Sequence, residues 1–337
     1  MEKLKSVQQK IPCIFEISVI NEPSDKRSNQ PYKVVAGEKL NPKIKDLTEL
    51  NDVLATEKLD GTCVLIDEFN GKPWLWARYD RKPTKGAEKR FRKFQNQQQS
   101  CENRSEIMER KFEWNFSKDF KDIPDHWKPA SGVDVQDGHV LPDSIGHTPG
   151  WVPVDVKSRQ HCWHLTSVDL QQGLAVVLRE TDDNKELVID CVLLETLLGH
   201  TAELIGTMVN GNPYGIGSKQ CPVHILVIHG SIPIYNLPSI TRSNIQEWFL
   251  NNDNSKLEGI VWHFPTGQLY KLHRNHLGLE WPIGDLVLSK RPVSVSHNFS
   301  KYEFTDDKKT QFYFFSNIVG HRCEMLKEIH DEIIQKT

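Results

Sequence analysis

From Glu57 to Tyr79 the chain reads Glu-Lys-Leu-Asp-Gly-Thr-Cys-Val-Leu-Ile-Asp-Glu-Phe-Asn-Gly-Lys-Pro-Trp-Leu-Trp-Ala-Arg-Tyr. Two strand-like runs, Cys63–Asp67 and Trp74–Tyr79, flank Asn70-Gly71. That dipeptide tolerates positive φ at both central positions, which a type I′ turn requires, so the stretch reads as a β-hairpin. A turn centred there pairs residue i with residue 141 − i and sets Arg78 opposite Cys63. Arg78 is thereby expected within a few residues of Lys58-Leu-Asp-Gly61.

Working outward, a second hairpin is expected over 258–273, where Glu258–Phe264 and Leu269–His273 flank Pro265-Thr-Gly-Gln268. Centring the loop on those four residues pairs i with 533 − i, so Lys271 falls opposite Trp262. Paired residues share a sheet face, and so do residues four apart, which places Glu258 on the face of Lys271. Further strands are expected at Leu174–Arg179, Leu187–Leu194, Thr201–Gly206 and His224–His229. Helices are expected at 86–99, at 243–251 behind a Ser243…Gln246 capping box, and at 318–335. Residues 117–160, rich in Pro, Gly, Asp and Trp, read as an ordered but irregular insertion. Strands dominate and helices interrupt them, which is an α+β pattern with largely antiparallel sheets.

Composition excludes several classes. The 337 residues are 38% hydrophobic and 26% charged, which describes a globular chain with a real core. No apolar run reaches membrane-spanning or signal-peptide length, so a cytoplasmic or nuclear protein is expected, with no membrane partner. Seven scattered cysteines without Cys-x-x-Cys spacing argue for reduced thiols. His161, Cys162 and His164 carry metal-capable atoms, but no second ligand pair follows at zinc-finger spacing, and packing on a half-exposed strand is the expectation there.

A net charge of −3 excludes a uniformly basic nucleic-acid coat, yet the charge is uneven. From Arg78 to Lys93, eight Lys or Arg face only Asp80 and Glu88, a local balance of +6 (8 − 2). Tyr79, Phe91 and Phe94 lie within this run, and basic side chains interleaved with aromatics suit phosphates and stacked bases. Arg81, Lys82, Lys89, Arg90, Arg92 and Lys93 are the candidate nucleic-acid contacts, and a solvated helix face is the other reading of the same run.

Lys58-Leu-Asp-Gly61 is Lys-x-Asp-Gly, a short pattern that gains weight from its followers. Arg78 comes twenty residues later, Glu203 sits in Ala-Glu-Leu-Ile-Gly206, Glu258 heads Glu-Gly-Ile-Val, and Lys271 lies in Tyr-Lys-Leu-His. The ordered series resembles motifs I, Ia, III, IV and V of the ATP-dependent ligase and capping-enzyme superfamily of covalent nucleotidyltransferases. The wider phrases EKLDGTC, LWARYDRKP, AEKRF, HTPGWVPV, ELIGTMVNGNPYGIGSK, EGIVWH and KLHRNHLGL resemble the animal 5′-to-3′ RNA ligase (RNA ligase 1) family, from about residue 1 to 295.

The resemblance implies a nucleotidyltransferase (ATP-grasp-like) fold, two sheets around a nucleotide pocket, in an adenylyltransferase domain over residues 1–295. Residues 296–337 are expected as a mainly helical segment. Only 66 residues follow Lys271 (337 − 271), too few for the OB domain that capping enzymes and DNA ligases carry there. Lys58 is implied as the nucleophile that takes AMP from ATP, with Mg2+ or Mn2+ as cofactor. Glu57 would read the adenine edge, Asp60 and Gly61 complete the nucleotide-binding motif, and Arg78 and Glu203 grip sugar and phosphate. Glu258 would hold the metal, and Lys271 would neutralise the α-phosphate. Where many ligases end motif V with Lys-x-Lys, His273 stands at the second place and Arg274 follows. On a strand His273 shares the face of Lys271 and, protonated, would touch phosphate.

The implied partners are ATP and RNA with 5′-phosphate and 3′-hydroxyl ends, and a monomer is expected. An mRNA guanylyltransferase shares Lys-x-Asp-Gly, and an RNA-binding protein with a dead site is the reading from another class.

Overall fold

The Asn70-Gly71 turn forms as the dipeptide dictates. φ is 52° at Asn70 and 74° at Gly71, and strands Thr62–Phe69 and Lys72–Arg78 flank them. The structure is a computed structural model that describes residues 6–20, 22–23, 32–44, 50, 52–102, 111–181, 183, 186–304 and 310–336. The chain divides into two compact units. The larger holds residues 1–7, 11–75 and 154–337; the smaller holds 8–10 and 76–153.

In the larger unit a mixed sheet runs in the order Arg322–Cys323, Val293–Val295, Leu187–Leu193, Leu174–Glu180, His224–Ile228, Thr201–Gly206, Thr62–Phe69. Two junctions are parallel, Leu174–Glu180 with His224–Ile228 and Leu187–Leu193 with Val293–Val295; the other junctions of this order are antiparallel. Strand runs such as Leu174-Ala-Val-Val-Leu178 are apolar on consecutive residues because all five are buried. Phe312, Phe315, Leu326, Ile329 and Ile333, from the C-terminal residues, pack into the same core.

A second sheet in this unit has three antiparallel strands, with Gly259–His263 between Leu54–Lys58 and Leu269–His273. Helix Arg242–Asn251 covers its core with Ile245, Trp248 and Phe249, spaced as one helical face. The architecture is mixed α and β, and no sheet closes into a barrel among the described residues.

In the smaller unit Gly150–Pro153 pairs with Trp76–Arg78 and with Lys128–Pro129. Helix Lys85–Glu102 turns Phe91 and Phe94 inward onto Phe112, and Phe91 also onto Trp114 at 4.9 Å between ring centroids. Phe91 and Phe94 of the basic run are therefore packing residues, not an open stacking platform; apolar rings at i and i+3 of an amphipathic helix go to the core. Much of 117–160 is irregular, as its composition implied, with only short strands such as Val135–Gln136 and His139–Val140.

Four expectations are corrected. The second hairpin has Lys271 opposite Val261, not Trp262, because a three-residue loop, Pro265-Thr-Gly267, is closed by the Phe264–Gln268 pair and shifts the register by one. Helix Arg242–Asn251 is capped by Thr241, whose hydroxyl accepts from Asn244 N; Ser243 lies inside the first turn. Residues 318–335 are not one helix. Gly320 takes a left-handed φ of 77° and Arg322–Cys323 pairs as a strand before helix Ile329–Lys336, so β-pairing overrides local helical preference. His161, Cys162 and His164 lie on a 3-10 turn and the short helix Cys162–Thr166 rather than on a strand. Ser158 starts that turn by accepting from Gln160 N.

Candidate active site

Gly259 has Lys58 and His273 as its two neighbours across the three-stranded sheet. Glu258 immediately precedes it, is only 2% exposed, and reaches both. Its Oε2 accepts from Lys58 Nζ at 2.6 Å, and its Oε1 lies 3.2 Å from His273 Nδ1. Glu258 stands before the strand begins, so its side chain meets the Lys271–His273 face by leaving the alternation, not by obeying it. Gly259 is obligatory for close approach, since a Cβ there would come within 2.2 Å of Leu272 O.

Burial pulls the Lys58 ammonium toward neutrality, but attraction to Glu258 and Glu203 and the hydrogen bond to Glu258 outweigh it. Its pKa therefore stands above the ordinary lysine value. With no ligand bound, Lys58 is an ion-paired ammonium. Burial, together with the Lys58 and Lys271 charges, pushes His273 down to about 3 against the pull of Glu258. His273 is thus a neutral imidazole in this structure, with Nδ1 turned to Glu258. Arg274 is also committed elsewhere. Its guanidinium donates to Ser255 O and Glu280 O, and its backbone N–H holds Glu258 O. Lys271 is half-buried, with its backbone bonded to Pro12 O and Ile14 N.

Glu57 is buried beside this pair, with Oε1 lacking a hydrogen-bond partner among the described residues. Burial first, then the Glu258 charge, raises its pKa to about 8 despite Arg291. Its carboxyl is therefore mostly protonated at neutral pH.

On the other side of Lys58 the loop Asp60-Gly61 is fastened by hydrogen bonds. Asp60 N donates to Tyr214 Oη at 2.8 Å, and the Asp60 carboxylate accepts from Asn210 Nδ2 at 2.9 Å and Trp281 Nε1 at 2.7 Å. Gly61 N donates to Glu203 Oε1 at 3.1 Å, and Gly61 O accepts from Asn210. Gly61 is no ordinary turn glycine: a Cβ would meet Leu204 O at 2.3 Å. Glu203 Oε2 is bonded to His229 Nε2 at 3.0 Å.

Of the residues singled out in the sequence, Glu57, Lys58, Asp60, Gly61, Glu203, Glu258, Lys271 and His273 all belong to the larger unit, and most are linked by these contacts. Arg78 belongs to the smaller unit, where Asp80 Oδ1 at 2.6 Å and Gln8 O hold its guanidinium over the Trp151 ring. In that unit Lys82, Lys89, Arg90, Arg92 and Lys93 are exposed, whereas Arg81 is half-buried over Phe120. Arg90 pairs with Asp119 and Arg92 with Glu88. Tyr214, Asn210, Trp281 and His229 were not legible as site residues. Only the glycine-punctuated Gly211–Gly217 segment hinted that Asn210 and Tyr214 sit on a specially shaped loop.

The sequence model of RNA ligase 1 matches residues 1–332. RNA ligase 1 proteins of Rattus norvegicus, Mus musculus and Danio rerio are 46%, 45% and 45% identical to this chain. The matches cover 98% of this chain in each case, and 99%, 99% and 100% of those relatives. The protein is accordingly an enzyme of the ligase class. Within that class, the chain belongs to the RNA ligase 1 family.

No helix among the described residues is long and apolar enough to cross a membrane.

Proposed function

We propose that the protein is an ATP-dependent RNA ligase with a nucleotidyltransferase fold, joining a 5′-phosphate to a 3′-hydroxyl through lysyl-AMP on Lys58. The observation that carries this reading is the Lys58–Glu258 pair at 2.6 Å, half-buried lysine on buried carboxylate, set at the end of the motif strand. Lys58 Nζ loses a proton and bonds to the α-phosphorus of ATP, and the bond to pyrophosphate breaks. AMP then passes from Nζ to the RNA 5′-phosphate, and the attacking 3′-hydroxyl displaces AMP as the phosphodiester forms.

Lys58 cannot attack while Glu258 keeps it an ammonium, so Glu258 must redirect its charge. A buried carboxylate suits a hard cation, and Mg2+ or Mn2+ bound there would draw off the Glu258 charge and so free the amine. Glu57 fits the adenine edge, because Oε1 is buried and has no hydrogen-bond partner among the described residues. Glu203 and Arg78 would take the sugar and phosphate region, and Lys271 the charge growing on the α-phosphate. The exposed Lys82, Lys89, Arg90, Arg92 and Lys93 would hold RNA phosphates.

Incubation with ATP or GTP labelled on the α-phosphate tests the reading. Label should stay on the protein from ATP and not from GTP, and Lys58→Ala should abolish both labelling and RNA joining. Joining retained in Lys58→Ala would overturn the mechanism.

A further inference from the structure

We propose that Cys63, Glu203 and His229 form a binding site for a borderline-soft dication of the zinc class, and that its occupancy slows the reaction at Lys58. Strand register builds the site. Cys63 pairs directly with Glu203, and His229, one residue past strand His224–Ile228, donates its backbone N–H to Thr201 O. Directly paired residues share a face, as do Thr201 and Glu203 two apart, so three adjacent strands aim a sulfur, a carboxylate and an imidazole at one place. Their ligand atoms lie within 4.8 Å of one another. Tetrahedral zinc bonds of about 2.0–2.3 Å bring such atoms to ~3.3–3.8 Å, a change within the reach of side-chain torsions.

The surroundings already provide what ligating groups need. A histidine that binds metal through Nε2 must carry its proton on Nδ1, and Thr201 Oγ1, 2.9 Å from Nδ1, can accept it. Without metal the same hydroxyl turns round: it donates to Nδ1, and Nε2–H donates to Glu203 Oε2. Val7 N–H, 2.7 Å away, bonds the hydroxyl oxygen in either state. Glu203 Oε1 likewise keeps its bond from Gly61 N while Oε2 is free to ligate. Hydrogen-bonded ligands of this kind are the usual second layer of a metal centre.

Donor chemistry chooses the ion. One thiolate, one imidazole and one carboxylate favour Zn2+ or Co2+ over Mg2+ and Mn2+, and three protein ligands leave a fourth position for water. The Cys63 thiol proton passes to solvent as the ion binds, so affinity rises with pH. The slowing rests on the proposed function, in which Glu203 serves the nucleotide. The site itself does not rest on it.

Co2+ added to the full chain reads the site directly, through thiolate-to-cobalt charge-transfer absorption. The band is expected in the wild type and in Cys162→Ser, which removes the exposed thiol beside His161. It should be lost in Cys63→Ser and Cys63→Ala, lose its tetrahedral d–d bands in His229→Gln, and yield to Zn2+ but not to excess Mg2+. A wild type without the band, or a band unchanged in both Cys63 variants, overturns the site. Should the variants not fold, alkylation followed by mass spectrometry decides on the wild type alone: Zn2+ must protect Cys63. Cobalt binding with no slowing of ATP labelling overturns the inhibitory effect. Absence of labelling with ATP and Mg2+ when no Co2+ or Zn2+ is added defeats the ligase reading instead.

Discussion

Lys58 is gripped by charge, whereas Asp60 and Gly61, two and three residues on, are gripped by a web of hydrogen bonds. One buried carboxylate, Glu258, holds the lysine at 2.6 Å, with a neutral His273 steadying its other oxygen. The loop instead uses Tyr214, Asn210, Trp281 and Glu203, each aimed at a particular backbone or carboxylate atom. A charge grip yields when a competing cation arrives, since it depends on one balance of attractions. A hydrogen-bond grip survives that event. Lys58 can therefore change protonation while its loop stays still.

Substituting Glu258 by Gln should break the charge side most severely. ATP labelling of Lys58 is expected to fall by about 10²–10³, the scale of losing one preorganised electrostatic group. The residual rate should have its alkaline rise at lower pH, because Glu258 is what lifts Lys58. A pH–rate profile with an unmoved midpoint would count against the ion pair as the cause.

Glu57 offers a stability test of the same side. Its ordinary carboxyl value is 4.5 and burial raises it to about 8 in the fold, so between those values the folded state binds a proton that the unfolded state has lost. Stability should then fall as pH rises from 4.5 to 8 and level off above. The expected loss is on the order of 5 kcal/mol from this group, about 1.36 kcal/mol for each pH unit between the two values. Glu57→Gln should remove that slope in urea melts at acid, neutral and alkaline pH, and equal slopes in both proteins would refute the buried neutral carboxyl.

The loop side should respond less, and through position. Gly61→Ala drives a methyl against Leu204 O and should cost about 1–3 kcal/mol of stability, with ATP labelling reduced alongside. Tyr214→Phe removes the acceptor of Asp60 N–H and should cost ~1–2 kcal/mol by thermal melt, leaving the midpoint of the pH–rate profile in place. A shifted midpoint in Tyr214→Phe would erase the distinction between the two grips.

What the sequence disclosed follows the range of the interactions. Asn70-Gly71 fixed its turn locally, and most of the strand runs formed where their apolar patterns lay. The register of the second hairpin was out of reach, because Pro265-Thr-Gly-Gln268 can seat either a four-residue or a three-residue loop; Phe264 closing on Gln268 decides it. The meeting of Lys58 with Glu258 spans 200 residues and was legible only through motif order. Tyr214, Trp281 and His229 carry no periodic or spacing signal, and they matter only because distant strands deliver them. The neutral state of His273 depends on burial and two neighbouring ammonium groups, which no local pattern encodes.

Gly61 also acts as a gauge. With Leu204 O 2.3 Å from where a Cβ would sit, the gap between the Lys58 loop and strand Thr201–Gly206 is a hydrogen atom wide. The same strand presents Glu203, whose carboxylate receives the Gly61 amide. Clearance and bond length are set together, so the smallest residue in the motif works as a machinist's shim. It fixes how far Lys58 stands from the sheet, and any thicker residue would move the two out of adjustment at once.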